Sequence, residues 1–481
     1  MHSEFVREQR RYTQKELCKI FSCPEDKTVS ILRKLKEFGV LKAVKAEEKQ
    51  RDMSELVEED IEISDVEVGE NEYLYVFTFV GIIVVFGVVL KCYPKYLLKA
   101  TQPERELIQV IKVLEKYNSK EQIIRMFNDS SESRSFNLLA VLLFLLQDYY
   151  ENGVYDNRDD IVECNGSGEI IWDKTINETY AMISNNRPYY VALQTKKRIT
   201  NEHDYFKRLH ECVLTIASNE LEDAGLLNLF EIVGVDLTEE VLDDFGDKET
   251  ILYNIEKELS TQFNTRKQLV LKTIYTYIDH SGSLYDTDCL SLFGTNSFNL
   301  VWEKVCAEIM DNQLDTRLGA LKLPIPLKNR YNKQTKLIDL IEKPLWTATG
   351  KTAADTLIPD IVSISVVNGE WQFVIFDAKY YNAKLLPDAP PKAQPGIESV
   401  TKQYLYQLAY QEFIGEHEFS SVKNCFLMPT ENDYVVDKEE VSMQMLTNLG
   451  LQSIKVRFLP AIMAYDNYLS GRKLDIYLLK L

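Results

Sequence analysis

Residues 357–379 read Leu357-Ile358-Pro359-Asp360-Ile361-Val362-Ser363-Ile364-Ser365-Val366-Val367-Asn368-Gly369-Glu370-Trp371-Gln372-Phe373-Val374-Ile375-Phe376-Asp377-Ala378-Lys379. Residues 361–367 are β-branched apart from two serines. Such side chains pack well on a pleated surface and favour a strand. Asn368-Gly369 is the dipeptide preferred in two-residue hairpin turns, because both central positions need positive φ. Residues 371–376 are again mostly apolar. The stretch therefore predicts an antiparallel hairpin. Asp360 begins its first strand, Asp377 and Lys379 close its second, and all three return to one end. Alternation along a strand puts Asp377 and Lys379 on one face, with Ala378 opposite.

Two carboxylates at one strand end repel unless a cation or a proton lies between them. Mg²⁺ suits the place, because it takes carboxylate and carbonyl oxygens and keeps several waters. A lysine beside it can orient or deprotonate a water for attack on phosphorus. Asp360, Asp377 and the backbone carbonyl of Ala378 are the expected metal ligands, with Lys379 at the water. The alternative is an edge hairpin with solvated charges at its end.

Two flanking helices add candidates. Upstream, Phe298, Val301, Val305 and Ile309 recur at helical spacing. Glu303 on that helix is placed to reach the metal or its water, or else is a solvated helix acid. Downstream, Thr401 to Tyr410 reads as a helix on which Gln403 and Gln407 are four apart and share a face. Gln407 or Gln403 is expected to hold the attacking water or a scissile phosphate. Lys402 is expected to hold a backbone phosphate of DNA. Each also fits an ordinary surface residue.

The rest of the chain sets the frame. Its 481 residues suggest roughly two to four domains. With 45% hydrophobic and 11% aromatic residues, a wholly disordered chain is excluded. The net charge of −19 argues against a generally basic nucleic-acid coat. That charge is uneven: residues 51–72 carry a net −9 and 211–260 a net −12, while 320–410 carry +3. Eight cysteines without a CxxC pair fit reduced thiols in a cytoplasmic protein. No apolar leader is read in residues 1–11.

Thr13 with Glu16 forms a capping-box pattern before Leu17, Ile20 and Phe21. A second helix is expected from Lys27, with Val29, Leu32, Leu35 and Phe38 on its inner face and Gly39 as its stop. Lys27, Arg33, Lys34 and Lys36 make it basic. This pair resembles a winged helix, whose second helix serves either a DNA groove or a protein contact. Residues 46–72 read as an acidic linker. Tyr73 to Leu90 is nearly free of polar residues but rich in strand formers, so a buried hairpin is expected there, not a membrane helix. Residues 103–150 and 205–280 read as helix, and 160–176 as short strands.

Gly350-Lys351-Thr352 lacks the earlier glycines of a phosphate loop, so the chain is not itself read as an NTPase. Its five histidines form no zinc-ligand pattern.

Pro359-Asp360 followed by Asp377-Ala378-Lys379 resembles the PD-(D/E)XK nuclease superfamily, and Phe298 with Trp302-Glu303 resembles that superfamily's first-helix acidic motif. More of the chain is similar to the LlaJI family of restriction endonucleases, relatives of McrC. The segments concerned are Phe79 to Val85, Cys92-Tyr93-Pro94-Lys95-Tyr96, Gly168 to Ile176, and Val456-Arg457-Phe458-Leu459-Pro460 with Tyr468-Leu469.

The resemblance implies a mixed α/β fold: a winged-helix segment and linker at 1–72, a partner-docking hairpin and helical region at 73–265, and a nuclease domain at 266–481. It implies an Mg²⁺-dependent endonuclease of double-stranded DNA (Mn²⁺ substituting) within a phage-defence restriction system. The partner would be an AAA+ GTPase of McrB type, GTP acting only through it. Nuclease domains would pair for double-strand cleavage, with no membrane involved. No short motif fixes a GTPase-stimulating residue; the basic residues around Lys174 and Lys196-Lys197-Arg198 are the candidates, and they also fit a solvated face. Two other readings stand: a docking or activating subunit with a weak or silent nuclease site, and a winged-helix DNA-binding regulator.

Overall fold

The structure, a computed structural model, describes residues 2–45, 73–100, 102–118, 137–156, 158–200, 204–280, 283–284, 290–381 and 395–481. The acidic segment 46–72 lies outside the described residues. Two compact units emerge. One comprises Asn128–Ser291 with Val84–Gly87; the other comprises His2–Ile83, Val88–Phe127 and Leu292–Leu481.

The second unit holds the decisive hairpin. Ile361–Val367 pairs antiparallel with Glu370–Ala378, from Ile361 opposite Phe376 to Val367 opposite Glu370. Asn368 and Gly369 make the turn with φ of 52° and 85°, as the dipeptide predicts. The hairpin opens a five-stranded mixed sheet. Ser421–Thr430 runs parallel to the hairpin's second strand, Ile454–Pro460 runs parallel to that, and Val436–Val441 closes the edge antiparallel. Parallel neighbours need a crossover, supplied by the helix Ile397–Glu416. Phe373, Ile375, Val362, Tyr410 and Phe413 form the core between that helix and the hairpin. At the edge Arg457 is fully buried; it donates to the carbonyls of Leu479 and Lys480 and pairs with Asp437 at 2.6 Å. The arginine thereby pins the C-terminal residues to the sheet.

The N-terminal segment folds as a winged helix. Thr13 accepts from the Glu16 amide, and the Glu16 carboxylate accepts from the Thr13 amide, completing the capping box. The second helix is Glu25–Glu37, two residues earlier than expected, because Pro24 at its N-cap pre-sets φ at −58°. Its inner face carries Thr28, Ile31, Leu32 and Leu35. Val29 and Phe38 are only half-buried. Leu41–Lys45 pairs with Tyr73–Phe77, and Arg11–Tyr12 lies on the other side of that strand.

The apolar run Tyr73 to Leu90 is strand, and no helix among the described residues is long and apolar enough to cross a membrane. Val80–Val85 and Val88–Tyr93 turn at Phe86 and Gly87. They are buried along their length, hence the unbroken hydrophobicity. Their sheet runs His2–Arg7, Val88–Tyr93, Val80–Val85, Leu290–Thr295.

In the first unit Leu138–Asn152 packs on Tyr205–Asp223 and Thr265–His280, and the latter packs on Lys248–Thr261. Leu139, Leu142, Leu146, Leu209, Val213, Ile255 and Ile274 are buried. Arg266 bridges Asp148 at 2.6 Å across two of these helices. Residues 205–280 are not continuous helix. Gly225, with a φ of 64°, ends the helix, and the chain then runs without regular structure until the short 3₁₀ turn Leu242–Phe245. Of the strands expected over 160–176, Arg158–Cys164 and Glu169–Ile170 form, but Trp172–Glu178 is helical.

Gly81 shows how tight the four-stranded sheet is. Its φ is +138°, and an added Cβ would lie 2.0 Å from the Phe293 carbonyl oxygen. Backbone cannot yield as a side-chain tip can. Gly81→Ala is expected to destabilise the protein by about 2–4 kcal/mol, read as a lowered midpoint in thermal or urea unfolding.

Candidate active site

Asp360 stands just before the first residue of its strand, and Asp377 and Ala378 end the next. Registry alone places the two carboxylates side by side. Asp360 Oδ2 accepts from the Ala378 amide at 2.9 Å. Lys379 Nζ lies 3.0 Å from Asp377 Oδ1, on the shared face that alternation predicts. The strand end is held in turn by the Lys379 amide, which donates to Leu427 O at 2.9 Å.

The setting is dry. Asp377 is 4% exposed, while Asp360, Lys379 and Glu303 are half-buried. Burial pushes the Asp360 carboxyl well above the usual carboxylate range. Its hydrogen bond to Asp377 and the charges of Asp377 and Glu303 push the same way, and Lys379 opposes them. Glu303 is also raised, first by burial and then by Asp377, with Lys379 opposing. For Lys379, burial works to lower the pKa, but Asp377 and Asp360 outweigh it and the ammonium is held.

Glu303 reaches this site because its helix, Phe298–Ile309, buries Phe298, Val301, Trp302, Val305, Cys306 and Ile309. Trp302 Nε1 donates to Leu427 O at 3.2 Å, tying the helix to the carbonyl that also holds Lys379.

Gln403 and Gln407 are placed differently from the expectation. Gln403 is fully buried and donates to Ile375 O at 2.8 Å. Gln407 Oε1 accepts from Asn424 at 2.7 Å and from the Gln452 amide at 2.9 Å. Both amides join helix to sheet, a demand that period-four spacing does not reveal. Lys402 pairs with Glu398 at 2.5 Å on the exposed side of the helix. Glu398 also senses Lys379, so this end of the helix lies towards the site.

The residue missed from sequence is Tyr406. It is buried, and its hydroxyl is pushed up by burial and by the charges of Asp377, Asp360 and Glu303. A tyrosine on a helix facing a sheet reads as core; only its carboxylate neighbours distinguish it.

Among the described residues no three His, Cys, Asp or Glu side chains form a ready-made metal cage. A magnesium site does not demand one, since Mg²⁺ binds through one or two carboxylates and waters. The donors fit such an ion: they are hard oxygens whose charges repel one another, and a cation between them would relieve that repulsion.

A mixed five-stranded sheet whose leading hairpin gathers two aspartates and a lysine defines a PD-(D/E)XK-type fold. The family described as LlaJI restriction endonuclease matches residues 79–458, and the chain belongs to that family. It is 25% identical over 407 residues to the Type II restriction enzyme BsuMI component YdjA of Bacillus subtilis (strain 168), spanning 82% of this chain and 81% of that one. The refined half-complex from the tetradecameric assembly of Thermococcus gammatolerans McrB AAA+ hexamers with bound McrC is similar with a TM-score of 0.38 and 11% identity, over 98% of this chain and 99% of its own. The Thermococcus gammatolerans McrBC complex gives a TM-score of 0.23 and 12% identity, over 58% and 79%.

The raised Asp360 carboxyl has a stability consequence. The folded state binds its proton more tightly than the unfolded chain, whose aspartates titrate near the ordinary value of 3.8. Stability is therefore lost as pH rises above about 4 towards the folded value. Asp360→Asn keeps an acceptor for the Ala378 amide and removes the charge. In EDTA it is expected to be more stable than wild type by about 1–2 kcal/mol at pH 8, the gap closing towards pH 4. Unfolding midpoints across that range check it.

Proposed function

We propose that the chain is the metal-dependent DNA-cleaving subunit of its restriction system. The observation that carries this reading is the placement of Asp360 and Asp377 beside Lys379 at a buried strand end, in a restriction endonuclease family member. Asp360, Asp377 and the Ala378 carbonyl would hold Mg²⁺, or Mn²⁺ in its place, with Glu303 at the ion or its water. When bound, the ion supplies Lewis-acid stabilisation of charge on the phosphate. Lys379, held as an ammonium, orients the attacking water and offsets the negative charge that develops, positioned by Asp377, while Glu303 is the group placed to accept the water's proton. Glu303 senses both Asp377 and Lys379 and biases that proton's path. Tyr406 and the wall of Phe298, Trp302 and Cys306 exclude water and strengthen each of these charges.

The test is plasmid nicking with Mg²⁺, alone and with a GTPase partner and GTP. Lys379→Ala is expected to lose at least about a hundredfold in rate, and Asp377→Ala to be inactive. If wild type and Asp377→Ala behave alike under every condition, the nuclease reading fails.

A second feature supports docking to a partner subunit, which we take to be an AAA+ GTPase of McrB type. The relative from Bacillus subtilis is itself named as a component of an enzyme. Between residues 170 and 191, Trp172, Ile176, Tyr180, Met182, Ile183, Tyr189 and Val191 are all exposed, Tyr180 at 98% and Ile183 at 76%. So dense an apolar surface marks an interaction site. Lys174 on the same helix pairs with Glu178 at 3.8 Å, while Lys196 is exposed on the neighbouring strand. Ile183→Asp is expected to weaken partner binding by about 2 kcal/mol, roughly thirtyfold, without changing the thermal midpoint. Co-purification and titration with the partner check it.

A further inference from the structure

Lys379 is followed by two tyrosines, and the first is anchored to a residue far away in sequence. Tyr380 donates its hydroxyl to Glu8 Oε2 at 2.5 Å. The same carboxylate oxygen accepts from the Lys95 amide at 3.1 Å. Glu8 is 5% exposed and Lys95 4%, and isolated charges are not left at such depth. The Lys95 ammonium offsets the Glu8 charge, donates to Gln9 Oε1 at 3.0 Å and lies 4.6 Å from the centre of the Tyr380 ring. Glu8 directly follows the strand His2–Arg7, and its own amide donates to Tyr93 O. Gln9 donates to Phe77 O in the winged helix.

Tyr380 therefore touches three bodies. Its hydroxyl is held at the root of the winged helix. Its ring packs 5.3 Å from Phe298, the first residue of the helix that carries Glu303. Its backbone continues directly from Lys379. A hydrophobic residue would have filled this space without the desolvation that a buried carboxylate incurs. The polar network fixes orientation, which packing alone leaves to shape.

We propose that Glu8 is a positioning residue: through the Tyr380 hydroxyl it sets the conformation of residues 379–381, and with it the aim of the Lys379 ammonium. Lys95 holds Glu8 in place. The winged helix is thereby mechanically joined to the cleavage chemistry, so that a shift at its root reaches Lys379. This inference rests on the nuclease reading above for its catalytic consequence, though not for its structural part.

The test uses full-length protein in three variants, Tyr380→Phe, Glu8→Leu and the two combined. Tyr380→Phe removes one oxygen and keeps every ring contact. Amide hydrogen exchange at residues 379–381 is measured on the free chain, and cleavage of plasmid on the chain with Mg²⁺, partner and GTP. Both single variants are expected to speed exchange at these amides and to lower kcat about tenfold with KM for DNA unchanged. The combined variant is expected to be no worse than the poorer single one, since both remove the same bond. Unchanged exchange in Tyr380→Phe overturns the proposal, whatever the activity. Faster exchange with undiminished kcat overturns the catalytic role of Glu8. Multiplicative losses in the combined variant overturn the shared path. Should wild type and Asp377→Ala cleave equally, the nuclease reading fails, and the exchange result alone decides whether Glu8 positions this segment.

Discussion

The site depends on forcing two aspartates together where water is scarce. Asp360 and Asp377 face each other because Ile361 pairs with Phe376 and the turn spends only Asn368 and Gly369. A one-residue slip would send one carboxylate to the opposite face. Everything around the pair answers the repulsion that results. Lys379 supplies a positive charge at 3.0 Å, the Ala378 amide donates to Asp360, and burial with the neighbouring carboxylates pushes the Asp360 carboxyl towards its neutral form. The cluster is thus held under electrostatic stress.

That stress must be contained, and the elements beside the sheet do so. Trp302 ties the Glu303 helix to Leu427 O, the acceptor that also receives the Lys379 amide. Gln403 and Gln407 clamp the crossover helix to Ile375, Asn424 and Gln452. Their amides are buried within a largely apolar interface, where a hydrogen bond has directional value that packing lacks. Charge distribution adds a further division. The acidic segments 51–72 and 211–260 account for the chain's overall negative charge, whereas 320–410, which bears the aspartates, is mildly basic.

Some of this was legible in residues alone. The hairpin, its turn, the convergence of Asp360, Asp377 and Lys379, and the apolar face of the Phe298 helix all follow from local periodicity. So do the capping box at Thr13 and the strand character of the run after Tyr73. The roles of Gln403 and Gln407 did not follow. Spacing places them on one face, but which neighbour their amides meet depends on Asn424, on the strand Ser421–Thr430, and on Gln452, in the loop before Ile454–Pro460. Tyr406 was passed over because an aromatic residue on a helix facing a sheet reads as core, and its carboxylate neighbours come from distant segments.

Local sequence specified strand, turn and helix because those preferences arise within a few residues: β-branching, positive φ at Asn-Gly, apolar spacing. It also specified which charged groups share a strand end. The fold had to assemble what lies beyond that range. Glu303 stands 57 positions before Asp360 and Glu8 lies 372 positions before Tyr380, yet all belong to one compact unit. Burial, the raised Asp360 carboxyl and the anchoring of Tyr380 are properties of that assembly. They depend on how much water the surrounding elements exclude and on which distant groups fill the space, and no local window of sequence contains either.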